Sequence, residues 1–140
     1  MIKTSYMKDN EVFASFAVIV KDGMICATTR EDGRIGLPGG KCDASEDPVL
    51  ACIREAEEEG WGFHSIGEDP LLYLIQPFDG KLISWVLFNE DAVVERLENH
   101  KEKYRGIGPI LVSFDEIKNS GFGNRLAIEL AEQIIKNKQL

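Results

Sequence analysis

The sequence predicts an α/β fold, a mixed β-sheet flanked by helices, on three observations. Runs rich in β-branched and aromatic residues alternate with amphipathic segments, Asp-Gly or Gly-containing turns separate those runs in pairs, and neither repeats nor low-complexity stretches interrupt the order. With 140 residues, 44% of them hydrophobic, the chain fills one core and is short for two, so a single domain over 1–140 is expected.

The elements follow in order. EVFASFAVIV (11–20) and MICATTR (24–30), joined at Asp22-Gly23, read as a hairpin. Between 33 and 41, GRIGLPGGK carries so many glycines, with a proline, that a shaped loop without strand or helix is expected. Asp47 as N-cap and Pro48 at the first helical position start a helix over 48–59, which Gly60 and Gly62 end. Its residues Val49, Cys52, Ile53 and Ala56 recur at helical spacing and form an apolar stripe to pack on the sheet. PLLYLIQ (70–76) and KLISWVLF (81–88), turning at Phe78-Asp79-Gly80, read as a second hairpin. Segment 89–109 reads as a short helix leading into a charged loop, ILVSF (110–114) as a strand, and 124–138 as a helix with Leu126, Leu130, Ile134 and Ile135 inward.

Composition excludes several classes. Sixteen Lys and Arg against 24 Asp and Glu leave a net charge of -8, which disfavours non-specific binding to nucleic acid or to an anionic membrane. An anionic ligand would need a cation as mediator. Cys26, Cys42 and Cys52 are odd in number and lack C-x-x-C spacing, so no disulfide framework or zinc site is expected. No apolar run approaches the roughly 18 residues of a membrane helix, and the first residues lack a signal core, so a cytoplasmic protein is expected.

One stretch breaks local rules. IREAEEEGWGF (53–63) places Glu55, Glu57, Glu58 and Glu59 at the end of the predicted helix. Glu55, Glu58 and Glu59 fall within an arc of about 100°, while Glu57 points away. The ordinary reading is a solvated acidic face. Against it stand two penalties: Glu55 and Glu59 repel at i, i+4 by roughly 0.2–0.5 kcal/mol, and the helix C-terminus disfavours anions by roughly 0.3–1 kcal/mol. A divalent cation shared by the three carboxylates offsets both, and hard oxygen ligands suit Mg²⁺ or Mn²⁺.

Spacing extends the pattern to Gly40-x5-Glu46-x7-Arg54-Glu55-Ala56-x-Glu58-Glu59-x-Trp61-Gly62, preceded by Leu37-Pro38-Gly39-Gly40. This resembles the signature of the Nudix hydrolase family, G-x5-E-x7-R-E-U-x-E-E-x-G-U with U apolar, except that Trp61 stands at the final Gly and Gly62 at the closing apolar position. The resemblance implies an α/β/α sandwich and hydrolysis of a diphosphate linkage attached to a nucleoside or similar group, with water and divalent metal. It implies Glu55, Glu58 and Glu59 as metal ligands with the Gly39 carbonyl, Arg54 orienting a glutamate, and Glu46 behind them. Glu55 is the leading candidate for general base. A further metal-binding or basic Glu occurs in some members, for which Glu98 and Glu102 are the nearest candidates, each otherwise a solvated loop charge.

For the substrate, Lys41 beside the glycines is a candidate phosphate contact, and Phe16, Tyr73, Trp85 and Phe122 are candidate stacking surfaces, with core positions as the competing reading. In the family a Pro about 15 residues past the signature accompanies ADP-ribose hydrolysis, and Pro77, followed by Phe78, stands 15 residues after Gly62. Pro77 also has a plain reading as the end of a strand. ADP-ribose or a related dinucleotide is therefore the favoured substrate, against a house-cleaning (d)NTP pyrophosphohydrolase or a nucleotide-sensing module without turnover. The expected partner is a small nucleotide, with a homodimer open.

Overall fold

The structure, a computed structural model, describes residues 12–67, 70–120 and 124–138. Strand β1 (Val12–Val18), the short β2 (Val20–Lys21) and β3 (Met24–Thr29) form the first hairpin region. The turn between β2 and β3 has φ of 54° at Asp22 and 74° at Gly23, the doubly positive φ of the tight hairpin turn whose twist matches its strands. Strands β4 (Ile35–Gly36) and β5 (Gly39–Lys41) precede helix α1 (Pro48–Glu58) and β6 (Trp61–Ser65). The second hairpin, β7 (Leu72–Phe78) and β8 (Lys81–Leu87), uses the same turn chemistry, with φ of 52° at Asp79 and 76° at Gly80. Strand β9 (Val93–Arg96), β10 (Pro109–Val112) and helices α2 (Phe114–Asn119) and α3 (Arg125–Lys138) complete the described chain.

The main sheet runs β5-β1-β8-β7, with β1 and β8 parallel and the other pairs antiparallel. A second sheet runs β10-β3-β2 with β4 on β3, and β6 pairs with β9. Successive residues of β1 feed opposite cores. Ala17 packs with Val49, Cys52 and Ala56 of α1, whereas Val18 packs with Ile117 of α2 and Ala127 and Ile128 of α3. The mixed main sheet thus lies between helical layers, as the sandwich requires. Among the described residues no helix is long and apolar enough to cross a membrane.

Helix α1 begins as expected: Asp47 accepts the Val49 N–H at 2.8 Å, and Pro48 occupies the first turn. Three expectations need correction. The glycine loop does contain strands, β4 and β5, because β3 and β1 offer open edges and glycine tolerates the extended backbone they demand. Segment 89–109 forms no helix beyond a single 3-10 turn at Lys103–Arg105; Val93 and Val94 instead join β6, a strand that local pattern did not reveal, since pairing outweighs helix propensity. On α3 the inward face is rotated: Leu126 is 45% exposed, and Ala127, Ile128 and Ala131 are buried. Small alanines let α3 approach the sheet more closely than a leucine stripe would. Phe122 lies outside the described residues.

Candidate active site

Strand β5 forms one edge of the main sheet, and its outer backbone groups pair with side chains of α1 instead of another strand. Gly40 faces β1, pairing with Ser15, so the polar groups of Gly39 and Lys41 point outward. Glu59 Oε1 accepts the Gly39 N–H at 2.7 Å, and Arg54 Nη2 donates to the Lys41 carbonyl at 3.1 Å. Glycine is required at position 39, and a side chain at position 40 would displace Glu55. A Cβ on Gly39, at φ 146°, would lie 2.3 Å from the Ser15 carbonyl oxygen, and one on Gly40 would lie 2.7 Å from the Glu55 carboxylate.

Arg54 organises the acidic face. It grips Glu46 through two parallel bonds of 2.9 Å, and its Nη1 lies 3.0 Å from Glu55 Oε1 and 3.6 Å from Glu58 Oε1. Glu46 is held below its ordinary pKa by Arg54, and Arg54 is held above its own chiefly by Glu46. The glutamates do not form a solvated face: the side chains of Glu55 and Glu58 are only 20% and 21% exposed, while Glu57 is exposed. Burial raises the Glu55 pKa, with the Glu58 charge adding to it and Arg54 opposing it. Burial pushes Glu59 up to about 8, partly countered by the Gly39 N–H and reinforced by Glu55, Glu102 and Glu58.

This electrostatic state fits a cation. Two carboxylates already share one guanidinium nitrogen, and a third is buried against a donor where it resists ionisation without further positive charge. The donors are hard oxygens. Among the described residues, however, no three Asp, Glu, His or Cys side chains close on a common point, so binding an ion requires rotation of these glutamates away from Arg54, Lys101 or the Gly39 N–H.

Loop 97–106 covers the end of α1. The Glu102 N–H donates to the Glu58 carbonyl at 2.9 Å, and Lys101 Nζ donates to Glu58 Oε1 at 3.4 Å. Arg105 binds both Glu102 and Glu31, each at 2.9 Å, which ties the loop to the β3–β4 connection. Glu102 therefore stands beside the acidic helix. Glu98 does not: it is exposed, and its carbonyl accepts from Lys103.

On the other face of the sheet lies a cavity of about 800 Å³. Strand pairing sets two transverse rows on this face, Lys41, Ala14, Ile83 and Gln76 in one and Gly39, Phe16, Trp85 and Leu74 in the other, of which all but Gly39 and Leu74 line the cavity. Phe16 and Trp85 stack with centroids 6.3 Å apart at 25°. Lys41, Pro77 and Phe78 also line the cavity, with Phe78 71% exposed, whereas Tyr73 packs against the core on the α1 side. Phe13, Gln76 and Asn124 join them, none of which sequence reasoning singled out. Phe13 was hidden because a bulge between Val12 and Ala14 breaks the alternation of β1, and the phenyl ring it exposes carries Lys81 Nζ at 3.9 Å and Lys41 Nζ at 5.5 Å.

Trp61, the departure from the signature, is fully buried and donates its indole N–H to the Ala27 carbonyl at 2.7 Å. Gly60, at φ 110°, takes the positive φ at the helix exit, which frees position 61 to anchor α1 on β3.

An acidic helix braced on a glycine edge strand, between two helical layers and beside a nucleotide-sized cavity, defines a class of α/β/α hydrolases. A family model for the NUDIX domain matches residues 12–120, so the chain belongs to the Nudix family, whose enzymes cleave pyrophosphate bonds in small nucleotide compounds and generally use divalent metal ions. Solved structures share its fold. A MutT NUDIX hydrolase from Burkholderia pseudomallei is 24% identical, covering 83% of this chain and 94% of that one at a TM-score of 0.56. A UDP-X diphosphatase is 19% identical over 97% and 68% of the two chains, with a TM-score of 0.65. A NUDIX hydrolase from Nitrosomonas europaea is 19% identical over 89% and 88%, with a TM-score of 0.62. Among curated proteins, none matches the sequence.

Proposed function

We propose that this Nudix enzyme hydrolyses the diphosphate linkage of a nucleoside diphosphate joined to another group, with ADP-ribose or a related dinucleotide as the first compounds to test. One observation carries the reading: the glycine edge at Gly39-Gly40 joins the acidic helix on one face to the aromatic cavity on the other. From Lys41 to Gln76 the transverse row spans three strand spacings, about 14 Å, a length a nucleoside diphosphate bridges from phosphate to base. Pro77 on the cavity wall supports the choice of linkage.

In this reading Glu55, Glu58 and Glu59, with the Gly39 carbonyl, hold Mg²⁺ or Mn²⁺. The ion, when bound, neutralises phosphate oxygens and lowers the pKa of water. Arg54 fixes Glu55 through the 3.0 Å bond, and Glu46 fixes Arg54. Glu55, whose raised pKa suits it to accept a proton, is the favoured general base, with Glu102, on the loop over the end of α1, as the other candidate.

A second reading, (d)NTP pyrophosphohydrolysis, is favoured by the two lysines over Phe13, which have no carboxylate partner among the described residues and suit an additional phosphate. A product assay decides. AMP and ribose 5-phosphate from ADP-ribose support the first reading; faster release of pyrophosphate from a triphosphate sinks it. Glu58→Gln is expected to abolish turnover, and turnover of no substrate by the unmodified protein would favour a binding module.

A further inference from the structure

The cavity contains an ordered pair of side-chain amides that neither the signature helix nor the metal chemistry uses. The Ala127 N–H donates to Asn124 Oδ1 at 2.9 Å, and Asn124 Nδ2 donates to Gln76 Oε1 at 2.7 Å. Direction is dictated at the helix end. A peptide N–H can only donate, so the oxygen of Asn124 must face Ala127, its nitrogen must face Gln76, and the oxygen of Gln76 must face Asn124. Both acceptors are thereby engaged. Each oxygen thus already has a protein donor, whereas the groups with no protein partner among the described residues are donors: Nε2 of Gln76 and the second hydrogen of Asn124 Nδ2.

Gln76 stands on the same sheet face as Trp85, on the strand beside it, and Phe16 stacks against Trp85. A planar ring lying on Phe16 and Trp85 would therefore turn its edge towards the amide pair. An edge with two neighbouring acceptors satisfies neighbouring donors; an exocyclic amine there would meet another donor and leave both unpaired. Guanine and hypoxanthine present O6 and N7 side by side, whereas adenine replaces the O6 acceptor with an amine.

We propose that Gln76 and Asn124 read the O6/N7 edge of a 6-oxopurine, making this cavity selective for guanine-type over adenine nucleotides. The proposal rests on the reading of the cavity as the nucleoside site; it keeps the diphosphate linkage as the bond cleaved and replaces the adenosine of ADP-ribose by guanosine or inosine as the preferred nucleoside.

Binding of GMP, IMP and AMP without metal, followed by tryptophan fluorescence with calorimetry as a check, tests it apart from turnover. GMP and IMP are expected to bind about tenfold or more tighter than AMP. Gln76→Glu, which replaces the free donor by an acceptor at nearly equal volume, is expected to remove that preference and improve AMP binding relative to GMP. Equal affinities, tighter AMP binding, absence of binding by all three at millimolar concentration, or a wild-type preference in a folded Gln76→Glu protein would each overturn the proposal. Should that variant not fold, the comparison of IMP with AMP on the unmodified protein decides. Oxopurine selectivity with no hydrolysis of any nucleoside diphosphate derivative would uphold this inference and defeat the proposed activity; equal kcat/KM on GDP- and ADP-linked sugars would do the reverse.

Discussion

Glu59 is the residue whose surroundings differ most from those of a surface carboxylate. With its pKa near 8 in the metal-free protein, it is largely protonated at neutral pH, so a divalent ion bound there, as proposed above, would displace that proton. Calorimetric titration with Mg²⁺ at pH 7 in buffers of different ionisation enthalpy is expected to show release of about one proton per ion. The release should shrink above pH 8 and vanish in Glu59→Gln; unchanged release in that variant would reassign the group. Gly39→Ala places a methyl group against the Ser15 carbonyl, costs about 1–3 kcal/mol in denaturant unfolding and lowers activity by displacing the edge strand. At Trp61, Trp61→Phe removes the indole bond to the Ala27 carbonyl, which keeps its ladder partner on β10, and shrinks a fully buried side chain; the expected cost is about 1–3 kcal/mol, with kcat retained at temperatures where the variant is folded.

Among the elements, α1 is the one whose sequence carries every instruction locally. Its cap, its first-turn proline and its apolar stripe all lie within twelve residues, and the structure places it at Pro48–Glu58. Asp47→Ala is therefore expected to destabilise the fold by about 1 kcal/mol, read as a shift in denaturant midpoint with unchanged slope. The short strands are different. Residues 39–41 and 93–96 pair only because β1 and β6 lie alongside them, and neither segment has a pattern of its own strong enough to announce a strand. The inward face of α3 was misplaced for a related reason: hydrophobicity favours Leu126, yet the approach to the sheet is set by Ala127 and Ala131, which pack because they are small. The carboxylate arc on α1 was legible because three and four residues make one helical turn; Gln76 and Asn124, separated by 48 residues, come together through the fold alone.

For the whole molecule, opposite pKa shifts shape the stability of the metal-free protein. Glu46 lies below its ordinary value, so its contribution is present above the unfolded pKa and is lost as pH falls through the folded one. Glu59 lies above its ordinary value of 4.5, so the folded state holds an extra proton between there and about 8, and stability falls as pH rises through that window. Metal-free melting temperatures are thus expected to decline from mildly acidic pH towards pH 8. Saturating Mg²⁺ should flatten that decline, because it replaces the proton and stabilises the folded state by mass action. A melting temperature that stays level across this range without metal would contradict the burial assigned to Glu59.

By itself the sequence determined the helix and its acidic face, since the spacing from Gly40 to Glu59 is a local code written in helical turns and glycine positions. It also named much of the cavity, through Lys41, Phe16, Pro77, Phe78 and Trp85, without joining them. Only the tertiary structure decided that acidic helix and cavity lie on opposite faces of one sheet and meet across its glycine edge. It also chose Glu102 over Glu98 as neighbour to the helix and set Gln76 against Asn124. The physical reason is the same in each case: strand register and loop path are settled by pairing and packing between segments far apart in sequence, which no window of neighbouring residues contains.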